Sequence, residues 1–119
     1  MLINLSNHPS CKWQAQQMQA AVAQFGSVVD LPFPDVPPVA SVSDIAQLVD
    51  LYTEKVAAMA SAGETVVHVM GEMTFTYAMV CRLKTKGYRC VASTTERCVV
   101  EEQPGQKTVL FNFVQFRDY

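Results

Sequence analysis

Three short polar segments carry most of the chemistry this chain could do. Ser6, Asn7 and His8 follow an apolar run that begins at Leu2; Gly71, Glu72, Thr74 and Thr76 follow a second that ends at Met70; Ser93, Thr94, Thr95, Glu96 and Arg97 follow a third that ends at Ala92. Hydroxyls and helix N-terminal amides donate to phosphate oxygens, and an arginine can fork onto them, so such a set suits an anionic, nucleotide-like ligand. The same residue types cap helices and close turns, and that structural role is the competing explanation. His8, in a loop, is a candidate acid or base near neutral pH, or a plain surface histidine. His68, between Val67 and Val69, reads as a hydrogen-bonded core histidine and not as a catalytic one. Glu72 and Glu96 would sit at neighbouring strand ends, as a carboxylate pair or with one of them paired to Arg97. Trp13 and Tyr77 fall near helix starts, where each could stack on a base or pack in the core.

Several site types are excluded or poorly supported. The glycines at 26, 63, 71, 87 and 105 form neither G-x-G-x-x-G nor a P-loop pattern, which removes dinucleotide enzymes and P-loop NTPases. Cys11, Cys81, Cys90 and Cys98 contain no C-x-x-C, and only two histidines are present, so neither a zinc site nor another bound metal is expected. The four cysteines read as free thiols, mostly core filler, and none has the cationic surroundings of a nucleophile. No cofactor is implied.

The elements that must position these residues follow from pattern. Leu2 to Ser6 reads as a strand, and Cys11 to Phe25, rich in Ala, Gln and Met, as a helix stopped by Gly26. Ser27 to Phe33 is a second strand, followed by a proline-rich surface loop from Pro32 to Pro38. Beyond Ser41 or Ser43 as N-cap, Ile45, Leu48, Val49, Tyr52, Val56, Met59 and Ala60 recur at helical spacing up to Gly63. Thr65 to Met70 is nearly continuous in apolar residues, the pattern of a central strand covered on both faces. Phe75 to Lys86 is a third helix with Thr74 as N-cap, and Arg82, Lys84 and Lys86 oppose its dipole. Arg89 to Ala92 is a fourth strand, Ser93 to Glu96 a polar interruption, and Arg97 to Glu102 and Lys107 to Phe116 flank the turn at Pro104-Gly105. The order is βαβαβαβ followed by a C-terminal β-hairpin. This is the signature of a three-layer α/β sandwich with a mostly parallel sheet, whose ligands sit beyond the carboxyl ends of its strands.

The chain has 119 residues, enough for one domain over residues 1–119. Half its residues are apolar and 17% charged, which excludes disorder. A net charge of −2 argues against duplex nucleic acid or a polybasic membrane anchor. Charge is uneven, however: up to Cys81 there are two basic residues against seven acidic, and from Arg82 onward seven against four. No apolar run approaches the roughly 18 residues that span a bilayer. The start has no basic region before Lys12 and is cut by Asn4, so no secretory signal is expected and a cytoplasmic location is the default.

On Leu2 to Pro9, Gly71 to Thr76 and Ala92 to Arg97, the chain resembles small single-domain CRISPR-associated proteins with a Rossmann-like, CARF-type fold. The resemblance covers most of the chain in element order. It implies binding of a cyclic oligoadenylate messenger of type III CRISPR systems across a homodimer, with sequestration or ring cleavage that damps the signal. Carried over by position, Ser6, Asn7 and His8 together with Ser93, Thr94, Thr95 and Arg97 would hold the ligand, and Gly71, Glu72 and Thr74 would complete the site, with Thr76 beside them. In metal-independent cleavage Arg97 would stabilise charge and His8 act as acid or base. No lysine lies in the three segments, so cation support rests on Arg97 and backbone amides. Two other classes stand beside this: an interaction module whose hairpin edge, Lys107 to Phe116, pairs with another chain, and a small phosphoesterase or transferase acting on an ordinary metabolite.

Overall fold

A computed structural model describes residues 1–119. Its regular elements are β1 (Leu2–Ser6), α1 (Ala15–Phe25), β2 (Val28–Asp30), α2 (Val42–Met59), β3 (Val66–Met70), α3 (Met73–Thr85), β4 (Arg89–Gln103) and β5 (Gln106–Asp118). They build a five-stranded sheet in the order β2-β1-β3-β4-β5. The first four strands are parallel to one another, and β5 runs antiparallel to β4. The fold is the expected Rossmann-like α/β sandwich with a C-terminal hairpin, and β3 is its central strand.

Period-two alternation divides the sheet residues between two layers. Ile3, Leu5, Val67 and Val69 face α2 and α3 and pack there with Val49, Val56, Phe75, Met79 and Leu83. Leu2, Val66 and Val91 face α1 and meet Ala21, Phe113 and Phe116. Asn4, Ser6 and His68 have the parity of this second face and are buried beneath α1. One face is therefore dry, and the other holds a polar centre.

The structure corrects several sequence expectations. The fourth strand and the first hairpin strand are one strand: Ser93 to Glu96 stay in β4, paired with Phe116, Gln115, Phe113 and Asn112 of β5. Threonines suit a strand whose outer half is exposed, so their polarity does not break it. The register slips between Thr94 and Thr95, where Val114 is the extra residue on β5. That bulge turns Phe113 and Phe116, three apart, onto the same face. The first helix begins at Ala15, after a 3₁₀ turn at Ser10–Lys12, because the Asp30 carboxylate holds the Ser10 N–H and hydroxyl at 3.1 and 2.8 Å. Prolines at 32 and 34 shorten the second strand to three residues. α2 starts on Ser41, with a reciprocal capping box to Asp44. α3 is capped by Glu72 in place of Thr74. Among the thiols only Cys90 is buried, while Cys11 and Cys81 are exposed.

Beyond Thr95 the β4–β5 hairpin has no third strand beside it and projects as a two-stranded ribbon. The radius of gyration is 16.0 Å, against about 13.5 Å for a compact chain of this length. No helix is long and apolar enough to cross a membrane.

The proline-rich loop is pinned at Gly71. Phe33 lies over that glycine and meets Phe75 edge-on at 5.1 Å between ring centroids. A Cβ at Gly71 would overlap the Phe33 ring. Gly71→Ala should therefore cost about 1–3 kcal/mol by overpacking. Chemical denaturation of Gly71→Ala, Phe33→Ala and the double variant checks this: the double variant should lose less than the two single losses combined.

Candidate functional site

β1 leads through α1 to β2 on one side of itself, and β3 lies on its other side, so strand order reverses between the carboxyl ends of β1 and β3. A cleft of about 410 Å³ opens there on the α1 face. Its rim carries His8 and Lys12 from the β1–α1 connection, and α1 contributes Gln17 near its first turn. Its back wall is His68, Met70 and Ser93; Thr95, Phe111 and Phe113 close it on the ribbon side.

The centre of the site is a chain of hydrogen bonds joining four strands. Asn4 and Asp30 are register partners on β1 and β2, and Asn4 and His68 are partners on β1 and β3. The Asn4 amide nitrogen donates to Asp30 Oδ1 at 2.8 Å and to the His8 carbonyl at 3.0 Å. Both partners only accept, so Asn4 Oδ1 must point the other way, where it meets Ser6 Oγ at 2.8 Å and His68 Nδ1 at 2.9 Å. An amide oxygen cannot donate, so the His68 proton is on Nδ1 and its Nε2 carries a lone pair. Ser93 Oγ lies 3.2 Å from Nε2 and 3.0 Å from Met70 Sδ, and of these two the imidazole nitrogen is much the stronger acceptor for its proton. Burial, with a smaller contribution from the charge of His8, pushes the His68 pKa down to about 4, so the ring is neutral at physiological pH.

Other groups around the cleft are already engaged. Trp13 donates its indole N–H to the His8 carbonyl at 3.1 Å and packs edge-on against His68, so it pins the loop and packs the core. Gln14 bonds the β5 main chain twice, donating to Phe111 O at 3.0 Å and accepting from Phe113 N–H at 2.9 Å. With its side chain so occupied, α1 is the one α-helix of the three whose N-terminus has no side-chain cap.

Of the residues singled out in sequence, His8, Ser93 and Thr95 come together at this cleft. Ser6 is buried in the network, and Ser6 and Asn7 border a separate shallow groove against the proline-rich loop. Gly71 and Thr76 line an apolar groove along α3. Glu72 and Thr74 are occupied at the α3 cap: the carboxylate accepts from Phe75 N–H at 2.8 Å, and from the Thr74 hydroxyl and N–H. These bonds, that from Phe75 first, hold the Glu72 carboxyl below the usual carboxylate range. Thr94 bonds the Gln115 carbonyl, and Arg97 is exposed on the ribbon opposite Phe111. Arg97 pairs with neither glutamate; the ion pairs are Arg82–Asp50 and Arg89–Asp118. No three metal-ligating side chains converge. Sequence reasoning missed Asn4 and Asp30. The available signal was Asn4 itself, a lone amide inside an apolar strand, which needs a buried partner such as the lone histidine of the next apolar strand.

The buried neutral imidazole makes stability depend on pH. Unfolded, His68 takes a proton below its ordinary value of 6.5; folded, it does so only near 4. The stabilisation is complete above pH 6.5 and falls as pH drops through the interval, by about 3 kcal/mol in all. The Glu72 and Asp118 carboxyls, also held low, have ordinary values of 4.5 and 3.8 and lose theirs below most of that interval. Denaturant titrations between pH 7.5 and 4.5 should show the decline, and His68→Gln should flatten it.

No curated protein and no solved structure matches the chain. A family model does, over residues 1–117, which takes in the strands and helices that frame the cleft, β5 as far as Arg117. The chain belongs to the family described as the Uncharacterized protein MJ1673 family.

Proposed function

We propose that this protein binds a cyclic oligoadenylate messenger of type III CRISPR defence at the β1/β3 cleft, two copies of the chain sharing one ring, and so sequesters or degrades it. The observation that carries the reading is the make-up of the cleft. An ammonium and an imidazole, Lys12 and His8, stand on its rim beside a helix start with no side-chain cap, and hydroxyls and aromatic rings stand inside. The rim suits a phosphate and the interior a nucleobase. A ring with two-fold symmetry matches a two-fold pair of clefts, because symmetry uses one set of groups twice. The reading places the protein in the cytoplasm, where such a messenger would act.

Cleavage would need little from the protein. A ribose 2′-hydroxyl attacks the adjacent phosphorus, its proton passing to a base; the 5′-oxygen leaves with a proton from an acid, and a 2′,3′-cyclic phosphate remains. His8 is the side chain of the rim able to carry either proton, and Lys12 would oppose the charge that develops on phosphate. Arg97 reaches that role only if the ribbon brings it to the ring bound by the second copy.

Mixing the protein with cyclic tetra-adenylate and cyclic hexa-adenylate, with and without chelator, tests the reading through melting temperature and ligand integrity. A ligand at a hundred times its Kd should stabilise by about 2.7 kcal/mol. Lys12→Ala should weaken binding about tenfold or more. A shift with intact ligand means a sink, and ring loss that ignores chelator means a metal-independent nuclease. The absence of both shift and turnover rejects the proposal.

One observation favours a second reading, an interaction module. Val99, Val109, Leu110 and Phe111 are exposed on a ribbon with no third strand beside it. Removing β5 would strip Phe113 and Phe116 from the core, so the test is point substitution. Val109→Lys and Leu110→Lys should lower the association state seen in sedimentation and leave the melting temperature within a few degrees; an unchanged association state rejects this reading.

A further inference from the structure

Ser93 is the end of a chain whose proton positions are all fixed from its far end. The Asp30 carboxylate and the His8 carbonyl orient the Asn4 amide, Asn4 Oδ1 fixes the proton on His68 Nδ1, and His68 Nε2 then takes the Ser93 hydroxyl proton. Met70 Sδ also lies 3.0 Å from Ser93 Oγ, but a thioether is a far weaker acceptor than an imidazole nitrogen. What Ser93 has left to offer the cleft is an oxygen lone pair. Of the donors nearby, the Trp13 N–H goes to the His8 carbonyl and one Gln14 amide N–H to the Phe111 carbonyl, while Gln17 and Thr95 also line the cleft.

We infer that Ser93 is a specificity-determining residue of the cleft, a locked hydrogen-bond acceptor that selects a heterocycle presenting an exocyclic amine over its oxo counterpart. The inference rests on the proposed reading that the cleft receives a nucleobase, and deepens it by naming the group that is read. A freely rotating hydroxyl would serve an amine or a carbonyl equally. Here a carbonyl would set lone pair against lone pair, unless the hydroxyl gave up its bond to His68 and left a buried nitrogen unpaired.

The same geometry resembles a nucleophile with its base and orienting group, yet it is poorly suited to that work. The third member, Asn4, is uncharged, and the buried imidazole gives up a proton at about 4, so it draws the Ser93 proton weakly. A hydroxyl that is hydrogen-bonded to a neutral imidazole but not deprotonated by it is a recognition group.

Two measurements test this without depending on the messenger. In the free protein, ¹⁵N shifts should show His68 as the neutral Nδ1–H tautomer; the Nε2–H tautomer overturns the inference. Adenine and hypoxanthine, alike in shape but with the exocyclic amine replaced by a carbonyl and N1 changed from acceptor to N–H donor, are then titrated as free bases while the cleft resonances are followed. Adenine should bind at least about tenfold more tightly. Ser93→Ala should bring the two within about threefold, and Ser93→Thr should restore the preference. Equal binding, a preference for hypoxanthine, or no perturbation by either base overturns the inference. An adenine preference without binding of cyclic oligoadenylates leaves it standing and rejects the messenger alone.

Discussion

The bond from the Asn4 amide to the Asp30 carboxylate is the constraint on which the α1 side of this molecule depends. It joins β1 to β2 through side chains at a position where their main chains are also in register. The same carboxylate takes the Ser10 N–H and hydroxyl, so it fixes where the chain turns after β1 and delays α1 to Ala15. Because the carboxylate can only accept, the amide of Asn4 has one orientation, and the direction of every proton from there to Ser93 follows. A buried polar chain is tolerable only when each member is satisfied. Asn4 and His68 meet that condition with every polar side-chain atom bonded.

The two faces of the sheet differ for a reason that begins with helix number. α2 and α3 together cover one face and seal it with aliphatic side chains and Phe75. The other face has α1 alone, eleven residues long, and the area it leaves uncovered is shared between Trp13, the bulged end of β5 and the cleft. The bulge at Val114 is what makes this sharing work. Without it Phe113 would point to the opposite face, and the space between α1 and β4 would lack its apolar floor.

Element order, the place where α2 begins and the central place of β3 were legible because each has a local cause: a turn residue, a pair of serines able to cap, an apolar period. The continuity of β4 was not. Ser93-Thr94-Thr95-Glu96 looks like a break when polarity alone is weighed, and only pairing with a distant β5 shows that it is a strand with one face at a cleft and its end in solvent. Arg97 follows from the same fact, since an unbroken strand carries it outward along the ribbon. The partnership of Asn4 with His68 is a matter of register between strands more than sixty residues apart, which no local pattern encodes. The sequence did mark both as polar residues in apolar strands, so that each needed a partner was readable although its identity was not.

The Glu72 cap bears on where the phosphate of the proposed ligand would be received. At the start of α3 the chain's own carboxylate already takes the amides of Thr74 and Phe75, in the place a phosphate would occupy. An external phosphate there would have to displace a group tethered to the helix and so present at high effective concentration. At the start of α1 the corresponding side chain, Gln14, is turned away to hold the β5 main chain. The helix dipole at that end is thus unopposed by any side chain, and Lys12 adds a full charge beside it. A fold that commits one strand-end helix to a tethered carboxylate and leaves the other without a side-chain cap makes the α1 side, above the chain of hydrogen bonds that ends on Ser93, the place where the phosphate of the proposed ligand would be received.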